Sequence, residues 1–250
     1  MRDNLQQDKR AQVLGCYIDR VDMQEALDRI ALFIKQGRSA MVVTLNAEII
    51  YRAMEYQELQ TAINRAELIT PDGIGVIWAG KILGLSFPER VTGIDLLHAL
   101  CRQAAENKWR LFLLGAAPQV AEQAGAKLAE EFPGLIICGV RDGYFKEQEE
   151  DDLIDAINKA RPDIVAVALG APKQEFWMSK YKNVIKASVM IGVGGSLDVL
   201  SGLKKRAPQW IIKLNMEWLY RLLCEPGRWK RQMALPLFII MVLKRKLFAD

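Results

Sequence analysis

One carboxylate, Asp72, lies where it could act as a base. It belongs to residues 70–75, with the sequence TPDGIG, which follow a short apolar run. Pro-Asp-Gly is a favoured turn sequence, so a simple turn would account for these residue types. A carboxylate held at the end of a strand could also take a proton from an attacking hydroxyl group. The residues of this segment are compatible with both interpretations.

Two further pairs of polar side chains occupy similar places after apolar runs. Thr44 and Asn46 follow one such run, where they could end a strand and cap a helix, or hydrogen-bond to a substrate. Gln174 and Glu175 come shortly after Pro172, where they could be first-turn helix residues or line a pocket. The spacing of these four residues leaves the structural and the functional alternatives open.

The elements that must position these side chains are indicated by the apolar pattern. Amphipathic stretches, including residues 22–36, 119–132 and 147–160, separate short aliphatic runs at the spacing of βαβ units. Runs that are apolar almost throughout are typical of parallel strands buried on both faces. The pattern therefore predicts an α/β fold with a Rossmann-like, doubly wound, mainly parallel sheet, whose strands we expect at residues 41–44, 68–70, 111–114, 135–137, 164–169 and 189–191.

Five polar or glycine-rich segments follow these strands, at residues 44–48, 71–75, 115–118, 170–175 and 192–196. Ligands of such sheets bind beyond the carboxyl ends of the strands, so we expect one cleft lined by all five. Two segments begin a GxGxxG fingerprint, but the third glycine is replaced by Trp78 in one and by Leu197 in the other. Binding of NAD or FAD is therefore disfavoured, although the glycines still permit close approach of a phosphate.

The counts of other reactive residues exclude several classes of chemistry. His98 is the one histidine of the 250 residues and lies in an apolar stretch, which favours a packing role over a catalytic triad or a histidine metal site. The four cysteines, at positions 16, 101, 138 and 224, form no CxxC pair, so we expect reduced thiols and no zinc. Residues 1–10 lack the apolar stretch of a secretory signal, which predicts a cytoplasmic protein.

Basic charge is concentrated at the end of the chain. The net charge is +4, but residues 203–250 carry 11 Lys/Arg against 3 Asp/Glu, whereas residues 1–202 carry 23 against 27. The chain contains no Asp-x-Asp triplet of the kind that holds a divalent metal on a nucleotide diphosphate. Arginines could replace that metal, because their planar guanidinium groups bind phosphate bidentately. We therefore predict a core at 1–202 and a basic appendage at 203–250, with candidate phosphate contacts from Arg206, Arg221, Arg228 and Arg231.

The appendage also has an apolar segment. Residues 233–243 are interrupted only by Pro236, lie between basic residues, and follow Trp210, Trp218 and Trp229. A membrane-spanning helix needs about 20 apolar residues, so this segment is too short to cross. It fits a helix lying in the interface of an anionic membrane, or one docked on the core or on a second subunit. Nucleic acid is disfavoured, because the aromatic residues accompany an aliphatic run and not a polar groove.

Several ordered motifs make the chain similar to a known family. They are TLNAE at 44–48, PDG at 71–73, RVTGIDL at 90–96, GYF at 143–145, GAPKQE at 170–175, GVGG at 192–195 with Asp198, and RAP at 206–208. Together they closely resemble the WecG/TagA/CpsF family of bacterial glycosyltransferases, glycosyltransferase family 26. The resemblance implies transfer of an N-acetylmannosamine-type sugar from a UDP donor to undecaprenyl-diphosphate-linked N-acetylglucosamine (GlcNAc). The product would be a β-linked disaccharide lipid, the linkage unit of wall teichoic acid in one branch.

The resemblance also implies roles for individual residues. Asp72 would be the base, with Thr44 and Asn46 beside it, and Arg221, Arg228 and Arg231 would close over the diphosphate. Neither a cofactor nor a metal is expected. The matching motifs supply the candidate substrate-binding residues Arg90, Asp95, Tyr144, Gln174, Glu175, Gly194, Gly195, Asp198 and Arg206.

Other functions stay open on the sequence. The donor could be the uronic acid of the same sugar, which a second branch of the family uses. The chain could instead be a non-catalytic nucleotide-sugar-binding module at the membrane, whereas a nicotinamide oxidoreductase is disfavoured by both broken fingerprints. We expect a peripheral protein on the inner face of the cell membrane, with a homo-oligomer as another way to bury the apolar tail.

Overall fold

A six-stranded parallel sheet forms the centre of the protein. The computed structural model describes residues 10–225, 227 and 229–248, with residues 230 and 232 in their backbone only. The strands of this sheet are β3 (Ala40–Leu45), β4 (Leu68–Pro71), β5 (Arg110–Gly115), β6 (Ile136–Arg141), β7 (Ile164–Ala168) and β8 (Val189–Gly192). The strand order is β4-β3-β8-β7-β5-β6, and each neighbouring pair is parallel. This confirms the predicted Rossmann-like sheet.

Apolar cores cover both faces of this sheet. Alternate residues of β3 point in opposite directions, so Val43 packs in one core and Val42 in the other. Such two-sided burial explains why the strands are nearly continuous apolar runs. The helices within residues 10–202 are α1 (Met23–Lys35), α2 (Ala47–Glu55), α3 (Gln57–Asn64), α4 (Ile74–Leu83), α5 (Gly93–Asn107), α6 (Val120–Glu131), α7 (Glu150–Ala160), α8 (Lys173–Tyr181) and α9 (Ser196–Leu200), with a 3₁₀ turn at Glu147–Glu149.

An antiparallel hairpin precedes the sheet and was not predicted. It consists of β1 (Arg10–Val13) and β2 (Cys16–Asp19). Asp19 at its end is almost fully buried, and it accepts hydrogen bonds from the backbone of Ile69 at 2.8 Å and from Arg29 at 2.8 Å. The hairpin is therefore fixed to β4 by a buried carboxylate that is paired with an arginine.

The predicted appendage is helical, with α10 (Gln209–Lys213), α11 (Glu217–Cys224), α12 (Trp229–Gln232) and α13 (Ala234–Leu247). Helix α13 packs against α2 and α4, and Phe238 and Val242 are fully buried in the core on that side. Its other face exposes Leu237, Ile240 and Leu243. Within the ranges that the structure describes, no helix is long and apolar enough to cross a membrane.

Because α13 packs on the core, deleting the appendage is a poor test of its role. A division at residue 202 stays a prediction, but α13 shares its buried residues with the core. Deleting residues 203–250 would remove Phe238 and Val242 and expose the surfaces of α2 and α4 that they cover. Loss of function in that truncation would combine loss of chemistry with a cavity in the core, so point substitutions are the sharper test.

Candidate active site

A cleft of about 1480 Å³ opens beyond the carboxyl ends of the strands. Residues from all five strand-end segments line it, as the sequence predicts, and α11, α12 and α13 form its opposite wall. It therefore lies between the sheet and the appendage. The sequence-predicted residues that line it are Thr44, Asn46, Asp72, Arg90, Tyr144, Gln174, Gly194, Gly195, Asp198, Arg221 and Arg231.

Asp72 directly continues strand β4. Its backbone N–H donates to the carbonyl oxygen of Leu45 at 2.9 Å, and the positive φ of +91° at Gly73 turns the chain into α4. Its carboxylate Oδ2 accepts a hydrogen bond from the backbone N–H of Gly93 at 3.3 Å. The segment is thus both a turn and a means of pointing one carboxylate into the cleft.

The surroundings of Asp72 suit a base that works near neutral pH. Burial raises the pKa of Asp72 from its ordinary 3.8 to about 6. The hydrogen bond from Gly93 and the guanidinium groups of Arg221 and Arg90 lower this pKa, and the carboxylate of Glu217 raises it. A carboxylate with such a pKa is mostly ionised at pH 7 and binds a proton more strongly than an exposed aspartate.

Thr44 and Asn46 each have a structural role at the edge of the cleft. The Thr44 hydroxyl donates to the carbonyl oxygen of Gly192 at 3.0 Å, which ties β3 to the end of β8. The Asn46 Oδ1 accepts from the backbone N–H of Ile49 at 3.0 Å and caps α2. The N-cap interpretation of Asn46 is therefore confirmed, and both residues also line the cleft.

Gln174 lines the cleft, and Glu175 lies behind it. The Gln174 Oε1 accepts from the backbone N–H of Gly194 at 3.0 Å, and its Nε2 donates to Glu175 Oε1 at 2.8 Å. Glu175 is fully buried and does not line the cleft, although the sequence suggested substrate binding. Its carboxyl group instead fixes the orientation of the Gln174 amide.

Asp95 and Arg206 are also placed away from the cleft lining. Arg206 Nη2 lies 2.7 Å from Asp95 Oδ1, and Asp95 accepts a hydrogen bond from the Thr92 hydroxyl at 2.6 Å. This ion pair ties the first residues of the appendage to the N-terminus of α5. The structure therefore gives these two residues a bracing contact, where the motifs suggested contact with substrate.

The cations of the appendage that line the cleft each face a carboxylate. Arg221 Nη2 lies 2.7 Å from Glu217 Oε1, Arg231 Nε lies 2.8 Å from Glu48 Oε1, and Lys204 Nζ lies 2.9 Å from Asp198 Oδ2. Arg228 lies outside the described residues. These contacts hold guanidinium and ammonium groups at the wall opposite the strand ends, where a diphosphate could exchange for the carboxylates.

No role was assigned from the sequence to three of these partners: Glu48, Lys204 and Glu217. The ion pair of Glu217 with Arg221 could have been predicted, because these two residues have the i, i+4 spacing of a helical ion pair. Arg231 is 183 residues from Glu48, so no local pattern could have paired them.

The buried carboxyl group of Glu175 gives a prediction for stability. Burial raises its pKa from 4.5 to about 7, and the hydrogen bond from Gln174 offsets this only in part. The folded protein therefore holds a proton that the unfolded chain releases, so stability is lost as pH rises from the unfolded pKa to the folded one. Glu175→Gln should remove that loss, and its stability relative to the unaltered protein should rise by up to about 3 kcal/mol between about pH 5 and pH 8.

Urea unfolding of both proteins across this pH range measures the difference. Asp72 titrates in both proteins, so its contribution cancels when the two are subtracted. A difference in unfolding free energy that is independent of pH would show that Glu175 stays ionised in the folded protein and would contradict its assignment.

The chain is similar to known proteins over most of its length. The model of the family described as "Glycosyl transferase WecG/TagA/CpsF family" matches residues 11–250. A relative from Bacillus spizizenii is 40% identical over 214 residues, 86% of this chain and 82% of its own. One from Staphylococcus aureus is 34% identical over 239 residues, 95% of this chain and 93% of its own. Both are named N-acetylglucosaminyldiphosphoundecaprenol N-acetyl-beta-D-mannosaminyltransferase. The motifs, the sheet and these matches agree, and the chain belongs to the WecG/TagA/CpsF family of glycosyltransferases.

Proposed function

We propose that the protein transfers N-acetylmannosamine from UDP-N-acetylmannosamine to undecaprenyl-diphosphate-linked GlcNAc, with inversion and without a metal. The product is the lipid-linked disaccharide of wall teichoic acid or a related surface polysaccharide. The names of the relatives support the donor sugar and the acceptor. The observation that carries the chemistry is that one cleft brings the Asp72 carboxylate together with Arg221 and Arg231.

In the proposed mechanism the acceptor's hydroxyl group attacks the anomeric carbon from the face opposite UDP. Asp72 takes the proton of that hydroxyl as the new carbon–oxygen bond forms. The bond between the anomeric carbon and the β-phosphate oxygen breaks, and UDP leaves with an added negative charge. Arg221 and Arg231 stabilise this charge, which is the task that a divalent metal performs in enzymes with an Asp-x-Asp motif.

Other side chains hold the substrates. We assign Gln174, Gly194 and Asp198 to the donor, because they line the cleft beside β8. Arg90 lies near Asp72, and Tyr144 is highly exposed at the cleft surface, where it can cover a bound substrate. The amide of Gln174 is held by Gly194 and Glu175, so its orientation is set before a ligand arrives.

We further propose that the appendage holds the enzyme on the anionic inner face of the cell membrane. Leu237, Ile240 and Leu243 form an exposed apolar face on α13, and Lys244 and Arg245 follow at its end. This pairing of apolar and basic residues fits an interfacial helix. Formation of a homo-oligomer through the same face is the alternative.

A donor panel tests the function directly. Purified protein is incubated with UDP-N-acetylmannosamine, its uronic acid counterpart or UDP-GlcNAc, together with a short-chain lipid-diphosphate-GlcNAc, and products are read by mass spectrometry. We expect disaccharide from UDP-N-acetylmannosamine and an unchanged rate after excess chelator. If only the uronic acid donor gives product, the protein belongs to the branch of the family that transfers that uronic acid. UDP binding without product from any donor would indicate the non-catalytic module.

A further inference from the structure

The side chain of Glu217 joins the appendage to the core at the cleft. It is the first residue of α11, and the residue is only 8% exposed. Its Oε1 accepts a hydrogen bond from Arg221 Nη2 at 2.7 Å, one helical turn further on. Its Oε2 lies 3.8 Å from Nη1 of Arg90, which precedes α5 in the core. One carboxylate therefore lies between two guanidinium groups from different parts of the chain.

We propose that Glu217 is a positioning residue for sugar transfer, whose carboxylate holds Arg221 of the appendage beside Arg90 of the core at the wall of the cleft that faces Asp72. This inference rests on the proposed function, and it gives a role to a residue to which the sequence motifs assigned none. Glu217 acts through its two arginines and not by touching the reacting atoms.

Burying the carboxylate of Glu217 costs free energy, because the carboxylate loses its contacts with water. A buried, ionised group is stable only when cations and hydrogen bonds compensate the loss of water. Two guanidinium groups on the same side of a cleft also repel each other unless an anion lies between them. Glu217 lies between Arg221 and Arg90, so the two cations compensate its buried charge, and its charge reduces the repulsion between them. Without a polar side chain there, as in Glu217→Ala, Arg221, whose side chain is 41% exposed, would turn toward solvent, and α11 would lose its contact with Arg90. In Glu217→Gln the amide oxygen can still accept the hydrogen bond from Arg221, so both guanidinium groups stay beside Asp72.

The charge of Glu217 also acts on the base. The charged groups that face Asp72 are Arg90 from the core and Arg221 and Glu217 from α11, with the N–H of Gly93 from α5. The two arginines lower the pKa of Asp72, and Glu217 raises it. Removing only the negative charge should leave two uncompensated cations beside Asp72 and make it a weaker base.

The test compares Glu217→Gln with Glu225→Gln, which makes the same charge change at the C-terminal end of the same helix. The titration of the Asp72 carboxyl carbon is followed by carbon-13 NMR and assigned by its absence in Asp72→Asn. We expect the midpoint to fall by about one pH unit in Glu217→Gln and to stay in place in Glu225→Gln. Glutamine keeps the size of the side chain, and thermal unfolding confirms that each variant is folded.

Kinetics supply a second readout. We expect kcat to fall about tenfold in Glu217→Gln, with UDP affinity kept or increased because an anion near the diphosphate is removed, and to fall further in Glu217→Ala. A merely structural role would lower the folded fraction without moving the titration of Asp72. An unchanged midpoint, or an unchanged kcat with a shifted midpoint, would overturn the proposal. If the unaltered protein makes no product, the proposed function fails, and the NMR titration still decides where Glu217 acts.

Discussion

Asp72→Asn should lower kcat by about a thousandfold, because asparagine cannot accept the proton of the attacking hydroxyl group. The amide keeps the size of the side chain and can still accept the hydrogen bond from the N–H of Gly93. UDP affinity should therefore change little. Initial rates of disaccharide formation measure the first effect, and calorimetric titration with UDP measures the second.

The pH dependence of kcat/KM tests the role of Asp72 in a second way. Since burial raises the pKa of Asp72 to about 6, kcat/KM of the unaltered protein should rise with pH through that value and then level off. Asp155→Asn, an exposed aspartate on α7, is the matched control and should keep the full rate. A rate close to that of the unaltered protein in Asp72→Asn would assign the base to another residue.

Arg221→Gln and Arg231→Gln should each lower kcat by about a hundredfold, because each removes a cation that stabilises the departing diphosphate. Both side chains line the cleft, and each is about two-fifths exposed, so glutamine should leave the core packing intact. Arg221→Lys should recover part of the loss, since it restores the charge but not the bidentate geometry. Single-turnover rates with saturating donor isolate the chemical step.

A surface arginine supplies the control for these two variants. Arg65→Gln alters an exposed arginine at the end of α3, outside the cleft lining, and should not change kcat. Equal rates for Arg65→Gln, Arg221→Gln and Arg231→Gln would show that the appendage does not take part in the chemistry. The stabilising charge would then have to come from the core.

Most of the sheet could be predicted because a strand buried on both faces requires an almost continuous run of apolar residues. Each of the six expected runs is a strand, and most boundaries agree to within one or two residues. The largest difference is at β6, which begins one residue later than expected and extends to Arg141. Its partly exposed residues include Cys138 and Gly139, which interrupt the aliphatic run that the prediction followed.

The hairpin at residues 10–19 was missed because its strands have four residues each and its stability depends on distant partners. Asp19 is buried against Ile69, which is 50 residues away. A charged residue at the end of a short run gives no sequence signal for a buried strand. Only the folded arrangement brings the compensating arginines to it.

The candidate site also has residues whose positions follow from the sequence pattern and contacts that do not. Asp72, Thr44 and Gln174 come together because strand ends of one parallel sheet meet at one edge, which the topology determines. Glu175 lies behind Gln174, and Asp95 pairs with Arg206, so these three residues lie outside the cleft lining and their assignment to the substrate stays a prediction from the motifs. Two ion pairs of the appendage, Arg206 with Asp95 and Arg231 with Glu48, join residues that are 111 and 183 positions apart in the chain, and local patterns carry no information on such pairs.

The anomeric configuration of the product tests the central claim most directly. The protein is incubated with UDP-N-acetylmannosamine and a short-chain lipid-diphosphate-GlcNAc, and the linkage is read by NMR from the one-bond carbon–hydrogen coupling at the new anomeric centre. A single displacement with Asp72 as the base predicts a β-linked disaccharide from the α-linked donor. An α-linked product would require a mechanism that retains configuration and would contradict the account.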